Sequence, residues 1–304
     1  MTSALHSNET ATKITLHKTA GDIVNTNFPK DAEGNVYHLA VKAGQLAPNI
    51  LIVGDPNRAK IVATHLKPDP DLPDCFPHSC SRGFDIYTGF FEGKKVSVVA
   101  TGMGTTMIDF FVREARAIVD GQMQIIRLGS CGSPNVNISV GDVVLAEAAV
   151  GVTGDTRPWN ERKVTGTEYT ISNPAYPDTE LKERLYNKLV EANAFKVVRG
   201  LTATTDSFYS SQGRIDPAFP DQNENLLDDL EKKYPGIAAL SMEAYHLFNL
   251  ADMNTDAALP GQGIKAAVCK IVLAARKAGV FLSNEQKHTI ELSAGRACLL
   301  ALIS

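Results

Sequence analysis

Charged and glycine-rich motifs follow three strand-like segments of this 304-residue sequence. In the first motif, VGDPNR, Gly54 precedes a helix that would open at Pro56 and carry Arg58 in its first turn. Backbone N–H groups at a helix N-terminus attract anions, and a guanidinium in that turn can clamp an anion with two hydrogen bonds. The same residues also suit a helix cap with a surface arginine, because Gly-Asp-Pro is common turn chemistry.

The second motif, TGMGTT (101–106), again joins a strand to a helix through a glycine turn. It differs from a dinucleotide-binding fingerprint because Met107 stands where the third glycine is needed. A tight strand-to-helix turn is the plain interpretation, and one wall of a ligand pocket is the functional one.

The third motif, IIRLGSCGSP (125–134), places Arg127 among apolar residues just before Gly-Ser-Cys-Gly. Ser130 and Gly132 follow at the carboxyl end of the predicted strand, where open α/β sheets bind ligands. Alone, Arg127 would be a side chain that reaches solvent from the edge of the sheet. Three strand–glycine units in one domain can converge on a single crevice, and this favours a shared anion site.

Two further motifs carry groups suited to a polar organic ligand. In TDSFYSSQGR, Gln212 and Arg214 offer an acceptor and several donors to the edge of a planar heterocycle, while Phe208 covers its face. In LSMEAYHL, Glu243 near the start of an apolar helix could hold vicinal hydroxyls. The alternatives are a solvated loop and a carboxylate that the helix dipole favours.

Strand-like and helix-like stretches alternate along the chain, and this alternation predicts a single α/β sandwich. The predicted strands cover residues 49–55, 124–129, 142–153, 195–206 and 264–275. The predicted helices cover residues 56–66, 105–119, 178–193, 241–253 and 284–303. Residues 84–102 are predicted to form a hairpin that turns at Glu92-Gly93.

Two stretches fall outside this alternation. Residues 1–35 are polar and weakly periodic, which predicts an N-terminal arm ahead of one domain over residues 36–304. Residues 215–236 are acidic and flanked by prolines, so we expect a surface insertion with a short helix.

Composition narrows the classes of function. A net charge of −4 and a pI of about 6.0 argue against a nucleic-acid-binding surface or a basic membrane-binding face. Five cysteines without a Cys-x-x-Cys pair indicate reduced thiols rather than a disulfide framework or a zinc site. The N-terminus lacks a continuous apolar segment, and no apolar run approaches the ~20 residues of a membrane span. We therefore expect a soluble, cytoplasmic protein without a metal site.

The motifs also occur in a recognisable order. The succession YHLAV, VGDPNR, SRGFDIYTG, ATGMGTT, RLGSCG, DSFYSSQGR and SMEA resembles the uridine phosphorylases of the nucleoside phosphorylase-I family, from about residue 36 to the end. The resemblance implies a single-domain three-layer α/β/α sandwich with a central mixed sheet. It also implies a pentosyltransferase of pyrimidine salvage that reversibly cleaves uridine to uracil and ribose 1-phosphate. Inorganic phosphate would be the co-substrate, and no cofactor would be needed.

The resemblance assigns a role to each chemistry-bearing residue. Phosphate would be held by Gly54, Arg58, Arg82, Arg127 and Ser130, and ribose by His38, Met242 and Glu243. The base would be surrounded by Phe208, Gln212, Arg214, Cys131, Gly132 and Arg276, and catalysis would rest on Arg214, Gln212, Glu243 and Arg127. Arg82 and His38 would come from a neighbouring subunit, which implies a homodimer at minimum and leaves a hexamer open.

Four positions depart from the bacterial pattern of this family. Ser241 replaces a glutamate, and Gly83 stands where bacterial members carry a glutamate linked to a monovalent cation, so no such cation is predicted. Leu273 and Ala274 replace bulkier residues near the base. Because a missing methylene costs only about 1–3 kcal/mol, thymidine and deoxyuridine stay among the expected substrates.

Three alternatives remain open on the sequence. One is a purine nucleoside phosphorylase, which Ala275 followed by Arg276 disfavours, because purine-specific members carry an aspartate at the first of these positions. Another is a nucleosidase of the same fold, which uses water, and against which three phosphate-matching arginines argue. The last is a non-catalytic nucleoside-binding protein.

Overall fold

The computed structural model describes residues 23, 25–155, 168–255 and 260–304. Over these residues, twelve strands join in one mixed sheet. The strands are β1 (Asn49–Val53), β2 (Lys67–Pro68), β3 (His78–Ser79), β4 (Asp85–Phe91), β5 (Lys94–Ala100), β6 (Met123–Ser133), β7 (Val143–Gly154), β8 (Tyr169–Ile171), β9 (Val197–Thr205), β10 (Ala239–Ser241), β11 (Ile264–Ala275) and β12 (Val280–Phe281). The α-helices in the described part of the chain are α1 (Pro56–Ala63), α2 (Thr105–Arg116), α3 (Thr179–Glu191), α4 (Leu226–Lys233), α5 (Ala244–Met253) and α6 (Asn284–Ile303).

Part of the sheet closes on itself. The strand order is β12-β11-β7-β9-β10-β6-β1-β5-β4-β2, with β3 beside β4 and β8 beside β7. Because β6 also pairs with β11, the strands β6, β11, β7, β9 and β10 form a closed ring. β1 and β5 continue outward from β6 in parallel, and β4 pairs antiparallel with β5. The predicted mixed sheet is confirmed, and its partial closure is a feature that the sequence did not indicate.

Helices cover both faces of the sheet, which confirms the three-layer sandwich. Leu51 and Val53 of β1 pack in one core with α1, α3 and α6, whereas Ile50 and Ile52 pack in a second core with α2 and α5. Successive residues of a strand point to opposite faces, so a strand that is covered on both faces is apolar throughout.

Local signals set the start of two helices and the position of one turn. The Asp55 side chain accepts a hydrogen bond from a backbone amide in the first turn of α1, and Ser283 caps α6 through the amide of Gln286. The predicted hairpin turn is confirmed at Glu92 and Gly93, both of which have positive φ.

Several element boundaries differ from the sequence prediction, and two of the differences result from pairing with a neighbouring strand. The helix expected from residue 241 begins at Ala244, because residues 239–241 form the short strand β10 between β9 and β6. The strand expected to end at residue 129 continues to Ser133, because the Gly-Ser-Cys-Gly segment pairs with β11. In both places, pairing with a neighbouring strand overrode the local signal.

The stretches outside the strand–helix alternation have different outcomes. Residues 1–22 and 24 of the predicted arm lie outside the described residues, and residues 25–35 are exposed or half-buried. The short helix expected within residues 215–236 is α4. Its Leu226 and Leu230 are buried in a small core with residues of β7 and β9. This segment is therefore anchored to the ring by an apolar face.

Candidate active site

A cavity of about 560 Å³ opens at the carboxyl ends of β1, β6, β10 and β11. It brings together eleven of the fourteen predicted site residues, namely Gly54, Arg58, Arg127, Ser130, Cys131, Gly132, Phe208, Gln212, Arg214, Met242 and Glu243. Gly102 and Met103 of the TGMGTT motif also line the cavity. All three strand–glycine units therefore meet at one crevice.

Arg58, in the first turn of α1, is held by three hydrogen bonds. Its Nε donates to Glu291 Oε1 at 2.8 Å, its Nη1 to the Leu128 carbonyl at 3.2 Å, and its Nη2 to the Ser130 hydroxyl at 2.5 Å. The residue is 2% exposed, so it is not a surface arginine beside a helix cap. The orientation of the Arg58 guanidinium is therefore fixed by other groups of the protein.

Arg127 and Glu243 form a buried ion pair in the cavity wall. Arg127 Nη2 lies 3.1 Å from Glu243 Oε1, and its Nη1 donates to Thr101 Oγ1 at 3.2 Å. Glu243 also accepts hydrogen bonds from the backbone N–H groups of Gly104 at 3.0 Å and Met242 at 3.3 Å. Burial lowers the pKa of Arg127, and the Glu243 carboxylate opposes that change. A guanidinium and a carboxylate are thus held side by side.

Gly54 lies where three chain segments approach one another. A Cβ at this position would stand 3.2 Å from the Gly102 carbonyl oxygen and 3.3 Å from Arg127 Nη2. Helix α1 begins directly afterwards, with Asp55 as its N-cap and Pro56 in its first turn. The wall at this point is therefore backbone rather than side chain, as an anion-binding turn requires.

The loop that follows β9 supplies an amide, a guanidinium and an aromatic ring to one end of the cavity. Gln212 is 2% exposed, and its Nε2 donates to Thr205 Oγ1 at 3.2 Å. The Arg214 guanidinium lies 4.1 Å from the centre of the Phe208 ring, and its Nε donates to the Phe208 carbonyl at 3.1 Å. Burial lowers the pKa of Arg214. These groups can pair with the polar edge of a planar ligand while Phe208 contacts its face.

Arg276 is not among the residues that line the cavity, and its predicted contact with the base stays a prediction. A Cβ on Gly132 would meet the Cγ and Cδ atoms of Arg276 at 3.4 Å, so the arginine stem packs against Gly132. Its Nη1 donates to the Gln212 carbonyl at 3.0 Å and its Nη2 to the Gly213 carbonyl at 3.2 Å. Arg276 therefore holds the Gln212 backbone and can influence a ligand through that loop.

Arg82 and His38 lie away from the cavity of their own chain. Arg82 donates to the Tyr37 hydroxyl at 2.8 Å and covers the Tyr37 ring. His38 Nδ1 lies 2.6 Å from Glu114 Oε1, and the imidazole stacks on Phe110 with ring centres 3.9 Å apart. Their action in a neighbouring subunit's site stays a prediction.

Two lysines near the cavity were missed by sequence reasoning. Lys287 of α6 lines the cavity, 3.3 Å from Asp55 Oδ2 and 3.6 Å from Glu291 Oε1. Lys270 of β11 is fully buried near Arg127. Lys270 interrupts the apolar run VCKIVLAA, and this is the same signal that singled out Arg127. Lys287 stands in a polar helical turn and gave no such signal.

Cys131 forms part of the cavity wall as a neutral thiol. Burial raises its pKa to about 12, so it is a poor nucleophile. No group of three or more His, Cys, Asp or Glu side chains in the described ranges could hold a metal ion. Within those ranges, no helix is both long and apolar enough to span a membrane.

Comparison with known sequences identifies relatives that match most of the chain. The sequence model of the phosphorylase superfamily matches residues 48–303. A uridine phosphorylase of Thermococcus kodakarensis is 29% identical over 280 residues, which cover 91% of each chain. A DeoD-type purine nucleoside phosphorylase of Oceanobacillus iheyensis is 32% identical over 214 residues, which cover 70% of this chain and 80% of the relative.

Solved structures show the same architecture. A uridine phosphorylase of the oomycete Phytophthora capsici superposes with a TM-score of 0.84 at 33% identity, over 93% of this chain and 99% of the other. A nucleoside phosphorylase of Trypanosoma brucei, described as showing uridine phosphorylase activity, has a TM-score of 0.72 at 22% identity, over 91% and 99% of the two chains. The second similarity concerns the fold alone.

Proposed function

The chain belongs to the phosphorylase superfamily, and from this membership we propose that it is a uridine phosphorylase, which cleaves uridine with inorganic phosphate into uracil and ribose 1-phosphate. The relatives with this activity support the proposal. The observation that carries it is the base end of the cavity, where Gln212 and Arg214 stand on a loop held by Arg276.

Gln212 and Arg214 are complementary to the polar edge of uracil. Uracil presents an acceptor at O4, a donor at N3–H and an acceptor at O2. Arg214 can donate to O4, while the Gln212 amide accepts from N3–H and donates to O2. A primary amide has two N–H groups, and Thr205 takes one of them, so the other can serve the base. Phe208 then packs over the nucleoside.

Phosphate is assigned to the opposite end of the cavity, where it would meet Gly54, Arg58, Arg127 and Ser130. Hydrogen bonds between guanidinium groups and a phosphate dianion are roughly twice as strong as neutral ones. Glu291 orients Arg58, and Glu243 orients Arg127. Because these side chains are already ordered, binding costs little conformational entropy.

Ribose would lie between the two ends, beside Met242 and Glu243. The Glu243 carboxylate would accept hydrogen bonds from the 2′- and 3′-hydroxyls. In this proposed arrangement, C1′ of the sugar would face the phosphate and the base would point toward Gln212.

In the proposed reaction, a phosphate oxygen forms a bond to C1′ as the bond from C1′ to N1 of uracil breaks. The electron pair of that bond passes to uracil. The N–H donors of Arg214 and Gln212 stabilise the resulting anion, which gains a proton on release. The positive charge that develops on the ribosyl ring faces the bound phosphate, so catalysis depends chiefly on positioning.

A purine nucleoside phosphorylase is the second candidate, because DeoD-type relatives match 70% of the chain. Protonation of a purine ring nitrogen calls for an acid beside the base. The carboxylates among the described residues of the cavity wall are Asp55, which pairs with Lys287, and Glu243, which pairs with Arg127. Both belong to the phosphate and ribose ends, so we favour uridine, with thymidine and deoxyuridine as further substrates.

The proposal includes a homodimer at minimum, with sites shared between subunits. Arg82 would bring a third guanidinium to the neighbour's phosphate, and His38 would contact the 5′-hydroxyl of the neighbour's ribose. Phosphate is a co-substrate, and no cofactor is part of the proposal. Five free thiols fit a reducing compartment, and we include a cytoplasmic location on that ground.

The test is incubation with uridine, thymidine, cytidine, inosine or adenosine, with and without phosphate, followed by quantification of the free base. We expect uracil from uridine only when phosphate is present, together with an equal amount of ribose 1-phosphate. No pyrimidine base above the no-enzyme control would refute the proposal. Equal release without phosphate would indicate a nucleosidase, and faster cleavage of inosine would indicate a purine enzyme.

A further inference from the structure

Lys270 is a buried cation in the middle of an apolar strand. It lies on β11 opposite Gly129 of β6 and Val144 of β7, and it is 1% exposed. Among the described residues, its Nζ has no hydrogen-bond partner. A buried ammonium without a hydrogen-bond partner costs free energy, so we expect it to balance a negative charge nearby.

The side chains of Lys270 and Arg127 both approach Gly129. A Cβ on Gly129 would stand 3.5 Å from Lys270 Cγ and 3.9 Å from Arg127 Nε. Arg127 Nε is also a buried donor with no hydrogen-bond partner in the described part of the chain. Because residue 129 has no side chain, the Lys270 stem and Arg127 Nε both lie against it, and the two charges are close enough to interact.

The charges around Lys270 do not neutralise it. The pKa of Lys270 is lowered to about 8, chiefly by burial and further by the positive charge of Arg127. Cys131, Glu243 and Cys269 raise the pKa of Lys270 and so oppose this change. The facing residue of β7, Val144, is apolar. The Cys131 thiol is neutral below a pH of about 12, so it supplies no negative charge to Lys270. The Glu243 carboxylate does carry a negative charge, but it already pairs with Arg127. This end of the cavity therefore carries an excess of positive charge.

We propose that Lys270 is a positioning residue for phosphate. Its buried positive charge close to Arg127 would strengthen phosphate binding and make that binding depend on pH. The inference rests on the proposed function, because it assigns phosphate to the Arg58–Arg127 end. If the protonated lysine favours phosphate by some factor, bound phosphate must raise the proton affinity of the lysine by the same factor. Loss of the proton at alkaline pH should then weaken phosphate binding.

The decisive variant is Lys270→Met, which keeps most of the aliphatic stem against Gly129 and removes the charge. Lys265→Met on the same strand is the matched control, since its ammonium lies at the surface on Glu180. At pH 7 we expect the KM for phosphate of the Lys270 variant to rise about tenfold. The kcat and the KM for uridine should change less than twofold, and the control should behave as the wild type.

The pH profile separates this role from a merely structural one. In the wild type, the KM for phosphate should rise as the pH increases from 7 to 9.5, and in Lys270→Met this rise should be largely lost. An unchanged KM for phosphate together with an unchanged pH profile in the variant would overturn the inference. A wild type that cleaves no uridine would instead refute the proposed function.

Folding of the variant can be checked without substrate. Because the folded pKa of Lys270 lies below that of the unfolded chain, the unfolded state binds more protons between about pH 8 and 10.5, and wild-type stability should rise with pH over that window. In phosphate-free buffer at pH 7, Lys270→Met should therefore be at least as stable as the wild type in thermal unfolding.

Calorimetry of the wild type gives a result that does not depend on any variant. Phosphate titrated at pH 8.5, in two buffers with different ionisation enthalpies, should show proton uptake by the protein, since inorganic phosphate is already a dianion at that pH. Binding without proton uptake would overturn the inference even if Lys270→Met failed to fold. The same uptake in a folded Lys270→Met protein would overturn it too.

Discussion

Arg127 shows how a single charged residue is placed inside an apolar strand. Its neighbours Ile125, Ile126 and Leu128 are fully buried, and Arg127 itself is 2% exposed. A buried ion pair such as Arg127–Glu243 contributes little net stability, because the cost of desolvation offsets the attraction. Under the proposed function, the pair presents two groups to the ligands, a guanidinium for an anion and a carboxylate for hydroxyls.

Glu243→Gln tests the second of these roles at the scale of one residue. The variant keeps the shape of the side chain but loses the charge-assisted bonds to the sugar, so the KM for uridine should rise about tenfold or more. The preference for uridine over 2′-deoxyuridine should also fall, since the deoxy sugar lacks one of the two hydroxyls. Steady-state kinetics with both nucleosides measure this, with exposed Glu285→Gln as the control. Equal losses on the two substrates would contradict the assignment.

At the scale of elements, the loop that carries Gln212 is held by a residue that follows another strand. Arg276 follows β11 directly and donates to the carbonyls of Gln212 and Gly213. The position of the Gln212 amide thus depends on β9, which its loop follows, and on β11, which Arg276 follows. The closing helix α6 has a similar part, because its Glu291 orients Arg58 and its Lys287 lines the cavity.

Arg276→Met should disorder the loop and leave the phosphate end intact. We expect the KM for uridine to rise about tenfold, because the Gln212 amide loses its fixed position. The KM for phosphate should change less than twofold. The neighbouring exposed Lys277→Met is the matched control. A variant with unchanged uridine kinetics would show that the loop holds its position without Arg276.

Gly295 allows α6 to lie directly on α1. A Cβ at residue 295 would overlap Val62 Cγ2 and stand 3.1 Å from its Cγ1. Alanine favours the helix by about 1 kcal/mol over glycine, but overpacking a core costs about 1–3 kcal/mol. Gly295→Ala should therefore be destabilised by about 1 kcal/mol, and adding Val62→Ala should relieve the overlap.

Urea denaturation of the single and double variants measures these free energies of unfolding. Phosphate kinetics provide a second measurement, because α1 carries Arg58 and α6 carries its partner Glu291. A single variant more stable than the wild type would show that α1 moves aside at no cost.

At the scale of the whole molecule, each cavity is expected to be completed by a neighbouring subunit. The closed ring of strands places the carboxyl ends of β6, β10 and β11 around one opening. Arg82 and His38 lie elsewhere on the same chain, held by Tyr37 and Glu114. We therefore expect their predicted contacts with phosphate and ribose to form between chains.

Complementation between two inactive variants tests this sharing. Arg82→Met should damage the neighbour's site, and Arg127→Met should damage the chain's own site, so each homo-oligomer should have little activity. When the two variants are co-expressed in equal amounts and pair at random, half of the dimers are mixed, and one of the two sites in each mixed dimer has both native arginines. About a quarter of the wild-type activity should therefore return. Phosphorolysis by each parent alone is the control. A mixture no more active than its parents would contradict shared sites.

The sequence by itself determined the elements with local signals and the residues that could do chemistry. The helix start after Gly54, the turn at Glu92-Gly93 and the apolar strands all depend on neighbours within a few residues, so they could be predicted. The ordered motifs also named Arg58, Arg127, Gln212 and other residues that line one cavity. Arg127 alone favoured a residue at the edge of the sheet, and it predicted the cavity only together with the other strand–glycine motifs.

Only the tertiary structure decided which of these groups touch and from which side. Closure of the ring through β10 is carried by three residues, too few for a periodic signal, and it turned the expected Gly-Ser-Cys-Gly loop into strand. The register of β11 on β6 placed Lys270 beside Arg127 and brought Arg276 to the Gln212 carbonyl. These contacts join residues up to about 140 positions apart in sequence. Local patterns report only nearby neighbours, so the register and closure of the sheet had to be known before the charges could be paired.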